Sequence, residues 1–155
     1  MMHRIIEVKA LKNFVVSVVF QNGTVKEYDV EKLFDILPQF LIFKKENTLF
    51  ECVKVDVGGY GISWNDELDL SAEEIWEEGI LIEEVYEIGI SDRVGYQVSE
   101  ARRSVGMTQK ELSQKTGIYQ ADISKIERGL SNPSLQTLEK IANGLGMKLR
   151  IEFTK

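Results

Sequence analysis

The sequence is poor in cysteine, histidine and proline, and it contains no long apolar run. The single cysteine, Cys52, cannot form an internal disulfide, which is typical of a protein in a reducing cytoplasm. No stretch approaches the roughly eighteen apolar residues of a membrane-spanning helix. Glu7 places an acidic side chain too near the start for a signal peptide. We therefore expect a cytoplasmic protein with no membrane partner.

The same shortage argues against an enzyme. The only histidine, His3, lies at what we expect to be a mobile terminus, so Ser/His and Cys/His pairs are poor candidates. Cys52 falls in an alternating stretch, residues 50–57, and is expected to be a small buried hydrophobe. The glycines of residues 58–61 lack the Lys-Ser/Thr of a phosphate-binding loop, and no Cys/His spacing indicates zinc. The sequence predicts no catalytic residue, metal or cofactor; an enzyme joined to a binding domain stays an alternative.

Charge divides the chain into two parts. Hydrophobic residues make up 43% of the sequence, which is typical of an ordered globular protein. Residues 1–91 contain 8 Lys and Arg against 18 Asp and Glu, a net charge of −10. Residues 92–155 contain 11 against 7, a net charge of +4, and together these give the −6 of the whole chain. Such asymmetry indicates two domains with different partners, over residues 1–90 and 92–155.

The first domain is predicted to be α+β, a small sheet with one or two helices. Asn22-Gly23 lies between two β-prone runs and indicates a two-residue hairpin turn of type I′, with positive φ at both residues. Residues 50–57 and 62–64 predict a second hairpin around the intervening glycines. Five aromatic residues are expected in the core rather than in a ligand site: Phe20, Phe34, Phe50, Trp64 and Trp76.

Two short helices and a connector complete the prediction for this domain. The first helix covers residues 29–37 and is stopped by Pro38. The second begins at Ser71, because Ser71 and Glu74 have the spacing of a capping box. Residues 79–90 predict an extended or irregular connector to the second domain.

Four short helices are predicted for the second domain, because beyond Val94 the apolar spacing changes from two residues to about 3.6. The first helix ends at Gly106, Thr108 caps the second, which ends at Gly117, and the third stops before Gly129. The fourth opens at a Pro-Ser pair. The apolar residues expected to share inward faces are Val94, Val98, Ala101, Val105, Leu112, Ile123, Ile126, Leu135, Leu138, Ile141, Ala142 and Leu145.

Residues 108–129 have the layout of two helices joined by a tight turn. Gly117 is suited to the left-handed conformation that such a turn needs. Leu112, Ile123 and Ile126 are expected to hold the two helices together. The residues left on the outer face of the second helix are Gln120, Ala121, Ser124, Lys125 and Arg128. Amide, hydroxyl and cationic groups of this kind contact base edges and phosphates in a DNA major groove.

Residues 97–149 resemble the phage-repressor or Xre family of helix-turn-helix domains. The matching positions are Arg102, Thr108, Gln109, Glu111, Leu112, Gly117, Ile123, Ser124, Ile126, Glu127, Gly129, Pro133, Ser134, Thr137, Leu138, Leu145 and Gly146. The resemblance implies an all-α DNA-binding domain that recognises a double-stranded operator. It also implies a role as a transcription regulator, in the simplest case a repressor that occupies a promoter.

The resemblance further implies roles for single residues. Arg102 would form a structural salt bridge with Glu127. The base-reading residues would be Gln120, Ala121, Ser124 and Lys125. The phosphate-contacting residues would be Thr108, Gln109, Arg128, Ser131 and Asn132. The sequence departs from the family pattern at Ser113, where Ala is common, and at Tyr119, where Ser or Thr usually caps the recognition helix.

The first domain resembles a small uncharacterised bacterial domain that occurs alone or ahead of Xre-type domains, sometimes beside toxin genes. The matching segments are residues 29–34, 50–55, 61–64 and 69–70. Acidic residues recur between positions 66 and 84, which is typical of a solvated face or of a docking surface for a basic protein such as a toxin. An antitoxin that represses its own promoter is therefore one hypothesis. The alternatives are a regulator that senses a small molecule and an interaction module without DNA binding.

The end of the chain predicts a further element. Residues 147–153 alternate between apolar and polar side chains, as a strand with one apolar face does. The apolar positions beyond its first residue are Leu149, Ile151 and Phe153. Because an unpaired strand edge seeks a partner, we expect this strand to be a dimer element. A homodimer would bind a two-fold symmetric operator with half-sites about 10 base pairs apart.

Overall fold

A computed structural model of the protein describes residues 2–83 and 87–155. The chain divides into two compact units, Met1–Ile88 and Gly89–Lys155. Within the described residues, all strands lie in the first unit, and the second contains only helices and irregular segments. The predicted fold class, a small antiparallel sheet domain followed by a helical domain, is thus confirmed. No helix in the described ranges is long and apolar enough to cross a membrane.

The main sheet of the first unit is antiparallel, with strand order β1-β2-β3-β7. Its strands are β1 (Ile5–Ala10), β2 (Val15–Phe20), β3 (Val25–Asp29) and β7 (Ile80–Glu83). The connector predicted as extended or irregular over residues 79–90 is extended at β7, and its backbone pairs with β3, which adds an edge strand that the prediction did not include. Residues 84–86 of that predicted connector lie outside the described residues.

The turn between β2 and β3 differs from the predicted two-residue turn. The Phe20 N–H donates to the Thr24 carbonyl at 2.8 Å, and the Gly23 N–H donates to the Phe20 carbonyl at 2.9 Å, so three residues form the loop. Of the predicted pair only Gly23 has positive φ, at 89°. The Asn22 side-chain oxygen instead accepts from the Thr24 N–H at 3.0 Å, which favours this three-residue loop with a left-handed glycine.

The helices of the first unit are short. Two 3-10 turns, Val30–Leu33 and Pro38–Leu41, precede α1 (Ile42–Lys45), α2 (Asn47–Phe50) and α3 (Ala72–Glu78). The expected helix over residues 29–37 is therefore wrong in type, and Pro38 begins a turn, where a proline sacrifices no hydrogen bond. Ser71 caps α3 by accepting from the Glu74 N–H at 3.1 Å. The predicted capping box is only half formed, because the Glu74 carboxylate accepts from the Tyr28 hydroxyl at 2.9 Å.

A second antiparallel sheet consists of β4 (Lys54–Val55), β5 (Gly61–Ser63) and β6 (Asp69–Ser71). The predicted strand over residues 50–57 is thus wrong in its first half, because Phe50 belongs to α2 and buries its ring in the core. The alternation of apolar and polar residues over 50–53 arises because single apolar side chains such as Phe50 point into the core from a helix and a turn. Cys52 is consequently exposed, contrary to expectation, and its thiol donates to the Thr48 carbonyl at 3.4 Å.

The core of the first unit is rich in aromatic residues. Its buried rings are Phe20, Tyr28, Phe34, Phe40, Phe43, Phe50 and Trp64. Trp76 is partly buried, and the His3 ring stacks on it with centroids 3.7 Å apart. Burial raises the pKa of the Glu73 carboxyl, but hydrogen bonds from the His3 backbone and ring outweigh it and hold that pKa below its usual value. The expectation of a mobile terminus at His3 is therefore wrong.

The second unit contains four helices with an aliphatic core. They are α4 (Ile90–Ser104), α5 (Gln109–Thr116), α6 (Gln120–Glu127) and α7 (Leu135–Gly144). The core consists of Val98, Leu112, Ile123, Ile126, Ile141 and Leu145. Two residues expected to face inward are exposed instead: Leu135 by 63% and Val105 by 44%. Each lies at a helix end, where the chain no longer follows the apolar face.

The predicted strand over residues 147–153 is absent from the single chain. These described residues adopt no regular structure and are exposed. A strand is defined by hydrogen bonds to a neighbour, and the described part of the second unit offers no other strand. Alternation of side chains alone could not supply that neighbour.

Candidate nucleic-acid interface

The turn between α5 and α6 is held by local hydrogen bonds. Thr108 begins α5 with a complete capping box, because its hydroxyl accepts from the Glu111 N–H while Glu111 accepts from the Thr108 N–H at 2.7 Å. Gly117 ends the helix at φ 74°, in the left-handed region. The Ser113 hydroxyl donates to the Ile118 carbonyl at 2.6 Å and so ties the end of α5 to the turn. This last bond gives Ser113, a departure from the family pattern, a structural role in the turn.

Behind the turn lies a buried network around Glu127. The Glu127 side chain is fully buried and accepts from Arg102 Nε at 2.6 Å and from Arg102 Nη2 at 3.0 Å. Arg102 Nη1 donates to the Met107 carbonyl at 2.7 Å. Gln109 Nε2 donates to the second Glu127 oxygen at 2.9 Å. The network joins α4, α5 and α6, so it fixes the orientation of α6 from its inner side.

Sequence reasoning did not identify the link between Gln109 and Glu127. The sequence predicts a phosphate contact for Gln109, whereas in the structure its amide nitrogen donates a hydrogen bond to the buried Glu127 carboxylate. The two residues lie eighteen positions apart, so no local pattern relates them. The phosphate contact of Gln109 stays a prediction, with the backbone amides at the start of α5 as its other donors.

A second feature missed from the sequence is the close crossing of α4 over the end of α6. A Cβ atom at Gly95 would overlap the Ile126 carbonyl oxygen and lie 2.8 Å from the Glu127 carbonyl oxygen. Gly129, at φ 72°, faces the Asp92 carboxylate in the same way. Burial at this crossing raises the pKa of Asp92. The sequence signal for this crossing is a glycine inside a predicted helix, which can indicate that another backbone packs closely there.

The outer face of α6 carries the predicted base-reading residues. Gln120, Ala121 and Lys125 are exposed, and Ser124 is partly exposed on the same helix. The inner face is anchored by buried side chains, so the outer side chains stand on a supported helix. Tyr119 precedes α6 with no side-chain hydrogen bond to cap it and is 80% exposed.

The remaining predicted phosphate contacts lie after α6. Arg128 directly follows α6 and is partly exposed. Its backbone N–H donates to the Ser124 carbonyl at 3.1 Å. The Asn132 side-chain oxygen accepts from the Ser91 hydroxyl at 3.4 Å. The Ser131 hydroxyl oxygen is shielded from solvent and lies within hydrogen-bond distance of no described group. Arg128, Ser131 and Asn132 thus lie in one short segment that follows α6, and their phosphate contacts stay a prediction.

Comparisons with known proteins agree with this geometry. A helix-turn-helix family model matches residues 98–151, and the model of a protein of unknown function (DUF2442) matches residues 5–80. An uncharacterized HTH-type transcriptional regulator of Haemophilus influenzae is 32% identical over 91 residues, which cover 59% of this chain and 85% of that protein. The immunity repressor of Bacillus phage phi105 is 36% identical over 56 residues, which cover 36% of this chain and 39% of the repressor.

One solved structure is a restriction-modification controller protein, C.Esp1396I, as a tetramer in complex with its natural 35 base-pair operator. It is 32% identical, covers 40% of this chain and 82% of that chain, and has a TM-score of 0.38. The fold, the turn, the helix-turn-helix family model and the Haemophilus influenzae relative define the chain as a helix-turn-helix DNA-binding protein. It belongs to the HTH-type transcriptional regulators of the Xre class, with a DUF2442 domain ahead of the helix-turn-helix domain. The predicted resemblance and DNA-binding function are confirmed.

Proposed function

We propose that this regulator represses transcription by binding a two-fold symmetric operator as a homodimer, with α6 as the recognition helix. The observation that carries the proposal is the contrast between the two faces of α6. Its inner face ends in the fully buried Glu127, and its outer face exposes an amide, a methyl group and an ammonium group in one helix. A helix so anchored can present fixed donors and acceptors to a major groove.

Gln120 and Ala121 are assigned the base contacts nearest the start of α6. A glutamine amide can form two hydrogen bonds with adenine, because it accepts from the N6 amino group and donates to N7. The Ala121 methyl group is suited to contact with a thymine methyl group. Ser124 and Lys125 follow one turn later on the exposed side. The exposed Asp122 lies on the same helix, and its negative charge would disfavour a nearby phosphate.

Phosphate contacts are assigned to both ends of the motif. Thr108 and the first amides of α5 lie at one end, where a helix N-terminus favours an anion. Arg128, Ser131 and Asn132 lie at the other end. The net charge of +4 over residues 92–155 is modest. Two domains acting together would double the number of phosphate contacts, which favours a homodimer on half-sites about 10 base pairs apart.

The test is selection of bound sequences from a random duplex pool by the purified full-length protein, at roughly physiological salt. The expected result is an enriched palindrome. Gln120→Ala should relax the preference at one base pair per half-site by about 1–3 kcal/mol. Gln97→Ala is the matched control, because Gln97 is also an exposed glutamine and lies on α4, outside the motif.

The salt dependence of DNA binding distinguishes a phosphate contact from a base contact at Lys125. Lys125→Ala should weaken binding, and the slope of log affinity against log salt should fall by about one unit if its ammonium group contacts a phosphate. A folded protein that enriches no sequence would contradict the proposal and make the domain an interaction module. Loss of the palindrome in the Gln97→Ala control would contradict the assignment of α6 as the reading helix.

We further propose that the first unit binds a basic protein partner, such as a toxin, in the cytoplasm and has no enzymatic role. Residues 1–91 carry a net charge of −10, and Asp66, Glu67, Asp69, Glu77 and Glu78 are exposed. Such a surface attracts a cationic protein at low salt. Co-purification with a small basic protein from a neighbouring gene, weakened by Glu77→Gln with Glu78→Gln, would support this role. Co-purification that neither charge removal nor salt alters would contradict it.

A further inference from the structure

The last nine residues, 147–155, form an exposed segment that we call the C-terminal segment. Its four apolar residues alternate with charged ones and are exposed by 36%, 39%, 55% and 100%, in the order Met147, Leu149, Ile151 and Phe153. The Arg150 and Glu152 side chains form an ion pair with each other. Side chains two residues apart meet in this way when the backbone is extended, because they lie on the same side. The segment therefore has the alternating pattern of a strand and, in the single chain, no neighbouring strand to pair with.

Its charges select one antiparallel pairing between two copies. With Ile151 opposite Ile151, Arg150 lies opposite Glu152 of the other copy on both sides of the two-fold axis, and Leu149 lies opposite Phe153. Opposite charges facing each other across two strands are stabilising, and like charges are destabilising. All apolar side chains then lie on one face of the ribbon.

Every neighbouring symmetric pairing is worse. Centring on Arg150 sets two arginines against each other, which offsets part of the gain from the two pairs of Lys148 with Glu152 that it forms. Centring on Glu152 sets two glutamates against each other. Centring on Leu149 sets Lys148 against Arg150 twice. Pairings centred between two residues place apolar side chains opposite charged ones. Of these pairings, only the one about Ile151 sets opposite charges against each other over residues 149–153 with no like charges opposed, so we take it as the preferred register.

We propose that the C-terminal segments of two copies pair as an antiparallel ribbon about Ile151 and so form the dimer interface of the regulator. This inference rests on the homodimer of the proposed function and names the surface that makes it. The second copy supplies the hydrogen-bonding neighbour that the single chain does not offer. Because each segment directly follows α7 and its turn, the ribbon would set the separation of the two recognition helices.

A cysteine at the two-fold axis tests the register directly. The exposed Cys52 is first replaced by Ser, which leaves a protein without cysteine. In this background Ile151→Cys should give a disulfide-linked dimer as its major product under mild oxidation. Directly opposed residues of an antiparallel pair have Cα atoms about 4.5–5.5 Å apart, which is within disulfide range.

Phe153→Cys is the matched control, because in the proposed register its own copies lie roughly 14 Å apart, at about 3.4 Å of rise per residue. It should therefore cross-link poorly by itself. Combination of Leu149→Cys with Phe153→Cys should restore cross-linking, since these positions face each other. Equal cross-linking of Phe153→Cys and Ile151→Cys, each alone, would overturn the register.

Charge reversal tests the same pairing without a covalent bond. Arg150→Glu should reduce the dimer fraction measured by light scattering, and addition of Glu152→Arg should restore it. A dimer that forms fully in all variants, with no disulfide through Ile151→Cys, would overturn the interface and leave operator binding as a homodimer intact. A protein that is monomeric in every form, with and without operator DNA, would overturn the homodimer itself.

Discussion

The two units of this regulator are stabilised in opposite ways. The first unit is a sheet domain whose core contains seven buried aromatic rings, brought together from distant parts of the sequence. The second unit is a set of short helices with a wholly aliphatic buried core and an ion pair between Arg102 and the fully buried Glu127. The first core consists mainly of rings packed against one another, whereas in the second unit a charged network also joins three helices. The second arrangement suits a unit that must present one helix at a fixed orientation.

This difference can be measured separately in each unit. Both tryptophans, Trp64 and Trp76, belong to the first unit, so tryptophan fluorescence reports unfolding of that unit alone. Most long helices belong to the second unit, so far-ultraviolet ellipticity at the helical band reports mainly that one. A substitution in the core of the first unit should shift the fluorescence transition more, and one in the core of the second unit should shift the ellipticity transition more.

The largest effect is expected from breaking the buried ion pair in the second unit. Arg102→Ala removes the guanidinium that pairs with the fully buried Glu127 carboxylate and keeps the hydrogen bond from the Gln109 amide. We expect a loss of about 3–5 kcal/mol in the free energy of unfolding, seen in the ellipticity transition under denaturant. Arg103→Ala is the matched control, because its ion pair with Glu100, at 3.5 Å, is partly exposed and should contribute under about 1 kcal/mol. A stable Arg102→Ala protein with weak DNA binding would contradict this structural assignment.

A comparable effect is expected in the first unit from loss of one ring. Phe43 is fully buried, and its ring centroid lies 5.2 Å from that of Phe50 and 5.0 Å from that of Trp64. Phe43→Ala should lower stability by about 3–5 kcal/mol through lost burial and a residual cavity. The fluorescence transition should move, and the ellipticity transition should move less. Ile42→Ala, which removes a 36% exposed neighbour, should change either transition by far less.

How much could be predicted from the sequence follows the same division. In the second unit the signals are local: Thr108 with Glu111, and Gly117 at the turn, lie within one or two helical turns of what they determine. The start of α6 and its exposed face could therefore be placed without a structure. In the first unit β7 pairs with β3 more than fifty residues earlier, and no local pattern encodes that partner.

The misses in the second unit have the same physical origin. Gly95 lies inside α4, and the reason for it is the backbone of α6 about thirty residues away. The bond between Gln109 and Glu127 likewise joins two elements. The terminal strand was predicted from its alternation, but a strand needs a second chain segment beside it. The sequence predicts features that lie within one helix or strand, but it does not predict which helices and strands contact each other.

An intermediate effect is expected at the crossing of α4 and α6. Gly95→Ala adds a Cβ atom where the nearest atoms are backbone carbonyl oxygens, which cannot rotate away. We expect a loss of about 1–3 kcal/mol from overpacking, which exceeds the gain in helix propensity. The ellipticity transition measures it. At Gly89 the nearest atom to an added Cβ is an Asp92 oxygen at 3.5 Å, so Gly89→Ala should change stability little. Equal stability of the two variants would remove the argument for a close crossing.

The smallest effect is expected at the cap of α5, and it should depend on pH. Thr108→Ala removes a cap and should lower stability by about 1 kcal/mol at neutral pH. Hydrogen bonds from the Thr108 backbone and hydroxyl lower the pKa of Glu111. A carboxyl whose folded pKa is lowered stabilises the fold above its unfolded pKa, and this contribution is lost as pH falls through the folded pKa. The difference between Thr108→Ala and the unaltered protein should therefore shrink in acid.

The cap of α3 in the first unit provides the matched control. Ser71 also caps through its hydroxyl, but the Glu74 carboxylate is engaged by Tyr28 rather than returned to the cap. Ser71→Ala should therefore have a similar cost at neutral pH, in the fluorescence transition, without the dependence that Glu111 gives to α5. If both substitutions lower the free energy of unfolding by less at acid pH than at neutral pH, the capping box of Thr108 and Glu111 is not the cause of the pH dependence. If only the cost of Thr108→Ala falls, the local hydrogen bonds that begin the helix-turn-helix also determine its acid sensitivity.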